Sequence, residues 1–426
     1  MGTHPARLRS SLDVIVRRLA VLVLLMTFSA PAWAQVDQAR AAEYFKEAAA
    51  LCAKDAGALW GISLCGPIVI SDPATKTIAT NEPAPEAPRP GALGFANAAM
   101  NWGGTRWTTI VWQMVPPSPQ LRARLLVHEL FHRIQPQLGL FVADQPNDHL
   151  DTLDGRYWLQ LEWRALAAAL RGSSEARLAA MRDALAFRRE RRALVASAAE
   201  SERTIEINEG LAQYTGTVVA ADSPDAARAD AIAQLDAASR SATFVRTFAY
   251  PLGAAYGLLL DVYSPGWTRR IKASDDLGQM LAAAANVAAT ANASAAAARY
   301  GGAELRAAER ARDEQQQARI AELRDKFVNG PVLVAPFASG ASFTNAGMTP
   351  IPGAGTVTPN YRVTAPWGSL EAALALVSPD RTTVTLPAPA KTEGRTIAGD
   401  GWTITLAAGW SVQPGARPGD FRIVKN

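Results

Sequence analysis

The stretch that decides the fold runs from Ser118 to Gln135 and reads SPQLRARLLVHELFHRIQ. Serine favours the N-cap of a helix and proline its first position, so Ser118 and Pro119 mark a helix start. Pro136 follows the last residues of the pattern and stops it. The sequence therefore predicts one helix over residues 118–135.

Within this helix, His128, Glu129 and His132 belong to the pattern HELFH. Two histidines four positions apart leave the same helix face, so both imidazoles can meet one ion. Zinc binds imidazole nitrogen and lowers the pKa of a bound water to about 7. We therefore expect His128 and His132 as zinc ligands and Glu129 as the general base. The alternative is a helix whose histidines only satisfy buried polar groups.

A zinc site of this kind needs a third protein ligand from elsewhere in the chain. The candidates are Glu209 in IEINEGLAQY, Glu162 in QLEWRAL and His149 in NDHLD. Glu209 lies in a segment with a helical pattern, whereas Glu162 is expected in an ion pair and His149 beside the cleft. Glu206, one helical turn before Glu209, is a candidate to orient a histidine ring through its free N–H.

Three short segments resemble the gluzincin zinc metallopeptidases, above all the zinc aminopeptidases related to leukotriene A4 hydrolase. NEGLAQY at 208–214 resembles the NEGFA-type segment, AMNWG at 99–103 resembles GAMENWG, and YPLG at 250–253 resembles YEKG. The resemblance implies a thermolysin-like catalytic domain with Glu209 as the third zinc ligand. It also implies that Tyr250 stabilises the oxyanion formed when a carbonyl is attacked. An ordinary core role for Tyr250 is the alternative.

Two departures from the family pattern limit what the resemblance implies. Met100 is followed directly by Asn101, so the glutamate that holds a substrate's amino terminus in GAMENWG has no counterpart. We therefore favour an endopeptidase, or a peptidase of unspecified type, over an aminopeptidase. In addition, 76 residues lie between His132 and Glu209, far more than thermolysin-like enzymes place there. We therefore predict an inserted helical pair around residues 157–200.

The first 34 residues have the composition of a signal peptide. Arginines precede an apolar stretch, Leu19 to Phe28, and Ala32-Trp33-Ala34 fits the cleavage rule of small residues. We expect cleavage after Ala34 and a periplasmic or secreted protein, and a retained membrane anchor is the alternative. Without that segment, 39 of the 43 basic and 38 of the 39 acidic residues remain. This balance gives no reason to expect nucleic-acid binding.

The chain has two cysteines, Cys52 and Cys65. Export would bring them to an oxidising compartment, where thiols pair, so we expect a disulfide between them. Such a bond would pin the N-terminal segment rather than hold the whole fold. The alternative is two free, buried thiols.

The remaining patterns predict helices followed by strands. Residues 35–115 are expected to hold a helix and several strands, and residues 157–327 are helical almost throughout, including the alanine-rich run 282–298. One charged group in this region is predicted to form a solvated helix face: Arg188, Arg189, Arg191 and Arg192. Beyond Val328, runs such as VLVAPF and WTITLAAGW separated by turn residues predict a small β-rich domain.

Together these patterns predict an α+β fold, with a helix-rich zinc metallopeptidase domain over residues 35–327 and an all-β domain over residues 328–426. The expected substrate is a peptide or protein, cleaved at the peptide bond. The alternative is a non-catalytic zinc-containing binding or scaffold protein of the cell envelope.

Overall fold

The computed structural model describes residues 35–344 and 347–426. Within them the chain is mixed α and β, with about 46% of it helical and a curled sheet at its C-terminal end. This confirms the predicted mixture of helices followed by strands. The signal peptide predicted over residues 1–34 lies outside the described residues. None of the described helices is long and apolar enough to cross a bilayer.

The chain divides into two compact units. The described part of the first comprises residues 35–139 and 215–222, and the second comprises 140–214 and 223–426. The division into domains over 35–327 and 328–426 stays a prediction, although the C-terminal strands do begin at Val332, just after the change in composition.

The described part of the first unit contains two whole helices, a four-stranded sheet and, after an interval of the second unit, the end of a third helix. In chain order its elements are α1 (Gln38–Asp55), β1 (Ile68–Ser71), β2 (Ile78–Thr80), β3 (Ala98–Trp102), β4 (Thr105–Val111), a 3₁₀ turn (Trp112–Met114) and α2 (Pro119–Ile134). The sheet order is β2-β1-β4-β3, with β1 parallel to β4 and the other pairs antiparallel. The helix predicted over 118–135 is therefore confirmed. Its apolar side is fully buried at Leu126, Val127 and Phe131.

The strand predicted over residues 105–115 is shorter than expected. It ends at Val111, and Trp112–Met114 form a 3₁₀ turn. The reason lies in the neighbouring strand, because β1 ends at Ser71, which pairs with Val111. Beyond that point the backbone has no strand beside it on this side, so the chain leaves the sheet before the two prolines.

The predicted disulfide is confirmed, since Cys52 at the end of α1 is bonded to Cys65. We call residues 52–65 the disulfide loop. Ala56 in this loop has a left-handed backbone, with φ of 49°, and its N–H bonds the Cys52 carbonyl to end α1. The chain therefore turns back at once toward the strands, which brings the two cysteines together.

The second unit begins with an antiparallel pair of long helices, in the region where a helical pair was predicted. Its helices are α3 (Leu153–Arg171), α4 (Ser174–Arg192), α5 (Ala198–Ile205), α6 (Leu211–Ala220), α7 (Pro224–Ala238), α8 (Ala249–Tyr263), α9 (Leu277–Ala285), α10 (Ala293–Ala297) and α11 (Gly302–Arg324). Residues Thr215 onward in α6 belong to the first unit. The predicted helical character of this region is confirmed.

One turn of π-helix, Glu206–Gly210, joins α5 to α6 in a continuous helical run. At its last residue the backbone touches α8. A Cβ added at Gly253 would lie 2.1 Å from the Gly210 carbonyl oxygen, and one added at Gly210 would lie 3.1 Å from the Ala249 oxygen. The two helical segments therefore cross with their main chains in contact, and only glycine fits at position 253.

The alanine-rich run over 282–298 was predicted to be one helix, and this is wrong. α9 ends at Ala285 and α10 begins at Ala293. Asn286 ends α9 in the left-handed conformation, with φ of 51°, which asparagine tolerates better than most residues. The Asn292 side chain then accepts a hydrogen bond from the Ala295 N–H and caps α10. Two asparagines thus break a run whose composition alone favours a helix.

The C-terminal part of the second unit is a curled sheet of ten strands among the described residues. They are β5 (Val332–Pro336), β6 (Thr349–Ile351), β7 (Gly355–Ala365), β8 (Gly368–Val377), β9 (Thr383–Pro387), β10 (Lys391–Glu393), β11 (Thr396–Gly399), β12 (Trp402–Leu406), β13 (Trp410–Pro414) and β14 (Phe421–Lys425). The order is β10-β11-β12-β8-β9-β5-β14-β13, and β7 pairs with β8 and β6. One face packs a core that includes Leu333, Trp367 and Ile404.

The contact between Gly210 and Gly253 leads to a stability prediction. Gly253→Ala forces a methyl group into the opposing main chain, so we expect a loss of about 2–3 kcal/mol in the free energy of unfolding. Urea denaturation followed by circular dichroism measures it. Gly91→Ala is the matched control, because a Cβ there meets no atom within 4 Å. Equal stability of the two variants would contradict the described crossing.

Candidate metal centre

The two histidines of the HELFH pattern point their rings at the same place. Both lie on α2, and their Nε2 atoms are 3.1 Å apart, with the ring planes at 77°. His128 is buried and His132 is half-buried. Glu129, between them in sequence, is also buried. One helical turn therefore presents two nitrogen donors at the spacing that two ligands of a single ion require.

Gln135 orients the second of these rings and was missed by sequence reasoning. Its Oε1 lies 2.9 Å from Nδ1 of His132, and the residue is 1% exposed. An amide oxygen only accepts hydrogen bonds, so this contact favours the tautomer of His132 that carries its proton on Nδ1 and a lone pair on Nε2. The available signal was the spacing, because a residue three positions after His132 shares its helix face.

Glu209 lies in the π-helical turn and is mostly buried. Its Oε1 accepts a hydrogen bond of 2.6 Å from the Arg246 guanidinium, which also pairs with Asp144. Burial lowers the pKa of Arg246, but Asp144 and Glu209 outweigh this effect and raise it overall. The Glu209 side chain therefore lies against a guanidinium group, and a carboxylate oxygen can ligate a metal.

Asn208, the residue before Glu209, hydrogen-bonds the π-helical turn to the segment at the start of the second unit. The Asn208 amide donates to the Val142 carbonyl at 2.6 Å and to Asp144 Oδ1 at 2.5 Å, and its oxygen accepts from the Val142 N–H at 3.2 Å. These bonds use both ends of the amide. They restrain the backbone next to Glu209.

Among the described residues, one group of histidine and acidic side chains has the spacing of a metal site. It consists of His128, His132 and Glu209, whose candidate ligand atoms all lie within 4.8 Å of one another. The structure thus brings together the three residues expected as ligands.

The rival ligands Glu162 and His149 have other partners. Glu162 is fully buried and accepts hydrogen bonds from Tyr256 at 2.6 Å and from Arg188 at 3.3 Å. The Nε2 of His149 lies 3.0 Å from Glu202 Oε1. Both side chains belong to a buried network of charges and not to the group that contains His128.

Glu206 does not orient a histidine, contrary to the prediction. Its two oxygens accept bonds of 2.7 and 2.5 Å from Arg188, and the residue has no exposed surface. The π-helical turn explains the difference. The hydrogen bonds of a π-helix run between residues five positions apart, so its turn is wider than that of an α-helix. Glu206 and Glu209 therefore point in more different directions than they would on an α-helix, where residues three apart are neighbours on one face.

The prediction that the arginines of α4 form a solvated face is also wrong. Arg188 is 3% exposed and Arg191 is fully buried, while Arg189 does lie at the surface. The buried members belong to an ionic cluster of three arginines and four acids. They are Arg188, Arg191, Arg192, Glu162, Glu202, Glu206 and Asp276. Burying an arginine without an acidic partner costs too much free energy, so these arginines can be buried only because the four acids pair with them.

The pKa values in the cluster follow from burial and from the arginine charges. Burial alone would raise the pKa of Asp276, but Arg188 and Arg192 hold it well below its usual value. The pKa of Glu202 is lowered in the same way, chiefly by Arg191. For Glu206 burial prevails over the arginines, and its pKa is raised. The acids of the cluster therefore differ in pKa, which is lowered for Asp276 and Glu202 and raised for Glu206.

Tyr250 and the AMNWG segment lie on separate elements. Tyr250 is half-buried in the first turn of α8, close enough to Arg246 to affect its pKa. Met100 and Asn101 lie on β3, which is an edge strand of the four-stranded sheet. Asn101 pairs with Arg106 of β4, and its side chain is exposed.

Comparison with known proteins gives no relative from which a role could be transferred. No protein family, no curated protein and no solved structure matches this chain.

The buried cluster yields a prediction with a control one residue away. Arg188→Met leaves Glu206 and Asp276 short of a cation, so we expect a loss of about 3–5 kcal/mol in the free energy of unfolding. Arg189→Met removes a surface charge instead and should cost less than about 1 kcal/mol. Urea unfolding of both variants measures the difference. A loss for Arg188→Met as small as that for Arg189→Met would show that the cluster does not matter for stability.

Proposed function

We propose that this chain is an exported, zinc-dependent metallopeptidase that hydrolyses peptide bonds. The observation that carries the proposal is the group of His128, His132 and Glu209, with candidate ligand atoms within 4.8 Å of one another. Two of these residues flank Glu129 on a single helical turn. That combination of two imidazoles, one carboxylate and an adjacent glutamate is typical of zinc hydrolases.

The donor set suits zinc better than calcium or magnesium, which prefer oxygen ligands only. Two imidazole nitrogens on one zinc ion lie about 3.3 Å apart, as bond lengths of about 2.0–2.1 Å and tetrahedral angles require. The observed separation of the Nε2 atoms is 3.1 Å. Three protein ligands would leave a further position for water, which is the arrangement of a catalytic site.

When bound, zinc would polarise the substrate carbonyl and make the attacking water more acidic. The residues of this chain supply the rest of the reaction. Glu129 takes the proton from the attacking water and passes it to the nitrogen of the leaving amine. Gln135 would hold His132 in the tautomer whose Nε2 is available to the metal. Tyr250 donates a hydrogen bond to the oxyanion.

The finer assignment within the proposal is a thermolysin-like domain of gluzincin type. It is supported by the resemblance of NEGLAQY, AMNWG and YPLG to gluzincin segments, and by the position of AMNWG on an edge strand. The direct step from Met100 to Asn101 removes the glutamate that an aminopeptidase needs. We therefore propose endopeptidase or unspecified peptidase activity, in the periplasm or outside the cell.

The role of Glu129 is tested by replacing its carboxylate with an amide. Glu129→Gln cannot accept a proton, so we expect peptide cleavage to fall by at least about 10²-fold, the usual contribution of a general base. Zinc content, measured by mass spectrometry of the metal, should stay at that of the wild type because Glu129 is not a ligand. Zinc binding with no cleavage by either protein would favour a scaffold role. Unchanged cleavage by the variant would rule out the assigned base.

The third ligand is tested by comparing Glu209→Ala with Glu162→Gln. We expect the first to weaken zinc binding by more than about 10²-fold, because it removes a ligand and not merely a supporting hydrogen bond. The second keeps the side-chain shape within the ionic cluster and should leave zinc affinity nearly unchanged. Competition with a coloured chelator measures both. Retention by Glu209→Ala with loss by Glu162→Gln would reverse the assignment.

A further inference from the structure

The disulfide loop, residues 52–65, contacts both helical segments associated with the proposed ligands. We propose that it positions these segments, so that tight zinc binding requires the bond between Cys52 and Cys65. The inference rests on the proposed function and assigns it a redox requirement. Lys54, Trp60 and Arg133 would be the positioning residues, none of which touches the metal or the substrate.

Arg133 links the end of the loop to α2. Its Nη2 donates to three successive carbonyls, those of Ser63 at 3.2 Å, Leu64 at 3.1 Å and Cys65 at 2.6 Å. Arg133 directly follows His132 in the chain. The guanidinium also lies against Gly66, where an added Cβ would come within 2.5 Å of it. The Arg133 side chain therefore restrains the helical turn that carries His132 relative to the Cys65 backbone.

Trp60, in the middle of the loop, contacts both segments at once. Its ring lies 4.9 Å from that of Phe131, which precedes His132 on α2. Its indole Nε1 donates a hydrogen bond of 2.9 Å to the Thr215 hydroxyl on α6. Thr215 follows Glu209 by six positions in one continuous helical run. A single buried side chain thus bridges the two segments.

Lys54 holds the far end of α6. Its Nζ donates to the carbonyls of Val219 at 3.3 Å and Ala221 at 2.6 Å. These carbonyls lie at the C-terminal end of the helix, where a positive charge is favourable. Lys54 is two residues after Cys52, so the disulfide restrains the lysine that caps this helix.

α2 and α6 already lie against each other with little spare space. A Cβ added at Gly216 would lie 2.6 Å from the Arg124 carbonyl of α2. A shift of a few tenths of an ångström between these helices therefore changes the positions of their side chains. Metal ligands tolerate errors of only about 0.5 Å. Opening the disulfide frees a loop that spans 13 positions, and its contacts with both helices then hold for a smaller fraction of the time.

The physiological consequence concerns the compartment in which the metal site forms. Thiols stay reduced in the cytosol and pair after export. Before export, the chain would bind zinc weakly, and after oxidation it would bind zinc tightly. The loop would thereby limit peptidase activity to the oxidising compartment in which the signal peptide predicts the protein to work.

The test compares zinc affinity in the mature chain, residues 35–426, with the disulfide present and absent. We use Cys52→Ala with Cys65→Ala rather than a reductant, because thiol reductants bind zinc. The expected result is a zinc Kd at least tenfold higher in the double variant, measured by competition with a coloured chelator. Faster amide hydrogen exchange at residues 215–221 should accompany it, in the presence or absence of zinc.

Two further variants keep the disulfide and test the role of the loop in zinc binding even if the double variant unfolds. Trp60→Phe keeps an aromatic ring but loses the indole donor and some buried volume, and Lys54→Met loses the charge that caps α6. Each should raise the zinc Kd several-fold, whereas Lys46→Met, on the exposed side of α1, is the matched control and should not. Unchanged zinc affinity in these variants would overturn this inference alone. Failure of the oxidised wild type to bind zinc would overturn the proposed function together with it.

Discussion

The pairing of charges inside the second unit is the constraint on which its helical part depends. Arg188 and Arg191 cannot be buried unless carboxylates meet them, and those carboxylates come from three different parts of the chain. α3, α4, the run from α5 to the π-helical turn, and the start of α9 must therefore assemble together. Such a cluster adds less to stability than an apolar core of the same size, but it tolerates few alternative arrangements. Glu206 is held inside by this cluster, and Glu209 follows three positions later on the same turn.

Much of the local structure could be predicted from the sequence, because it depends on neighbouring residues. Ser118 and Pro119 begin α2, and the two cysteines form the predicted disulfide. The burial of Arg188 could not be predicted from its neighbours in the sequence. Four arginines within five positions have the composition of a solvated face, and the partners of Arg188 lie 18, 26 and 88 positions away. Only the tertiary fold brings those acids to it.

The candidate site shows the same division between local and distant information. His128 and His132 were predicted together because one helical turn relates them, and Gln135 could have been found by extending that turn. Glu209 was selected by the resemblance of its segment, since spacing alone left Glu162 and His149 open. The orienting role given to Glu206 was wrong because it assumed α-helical geometry. A single π-helical turn changes which residues share a face, and no composition rule reveals where such a turn occurs.

The contact between Gly210 and Gly253 also limits how this chain can diverge. Gly253 cannot acquire a side chain while the Gly210 main chain stays in place, because an added Cβ would lie 2.1 Å from the Gly210 oxygen. A side chain at Gly210 would require the Ala249 oxygen, 3.1 Å from its Cβ, to give way. The two glycines should therefore persist together in descendants of this sequence, even where the surface loops have changed beyond comparison. Such a pair next to the NEG segment offers a criterion for finding distant members of the lineage.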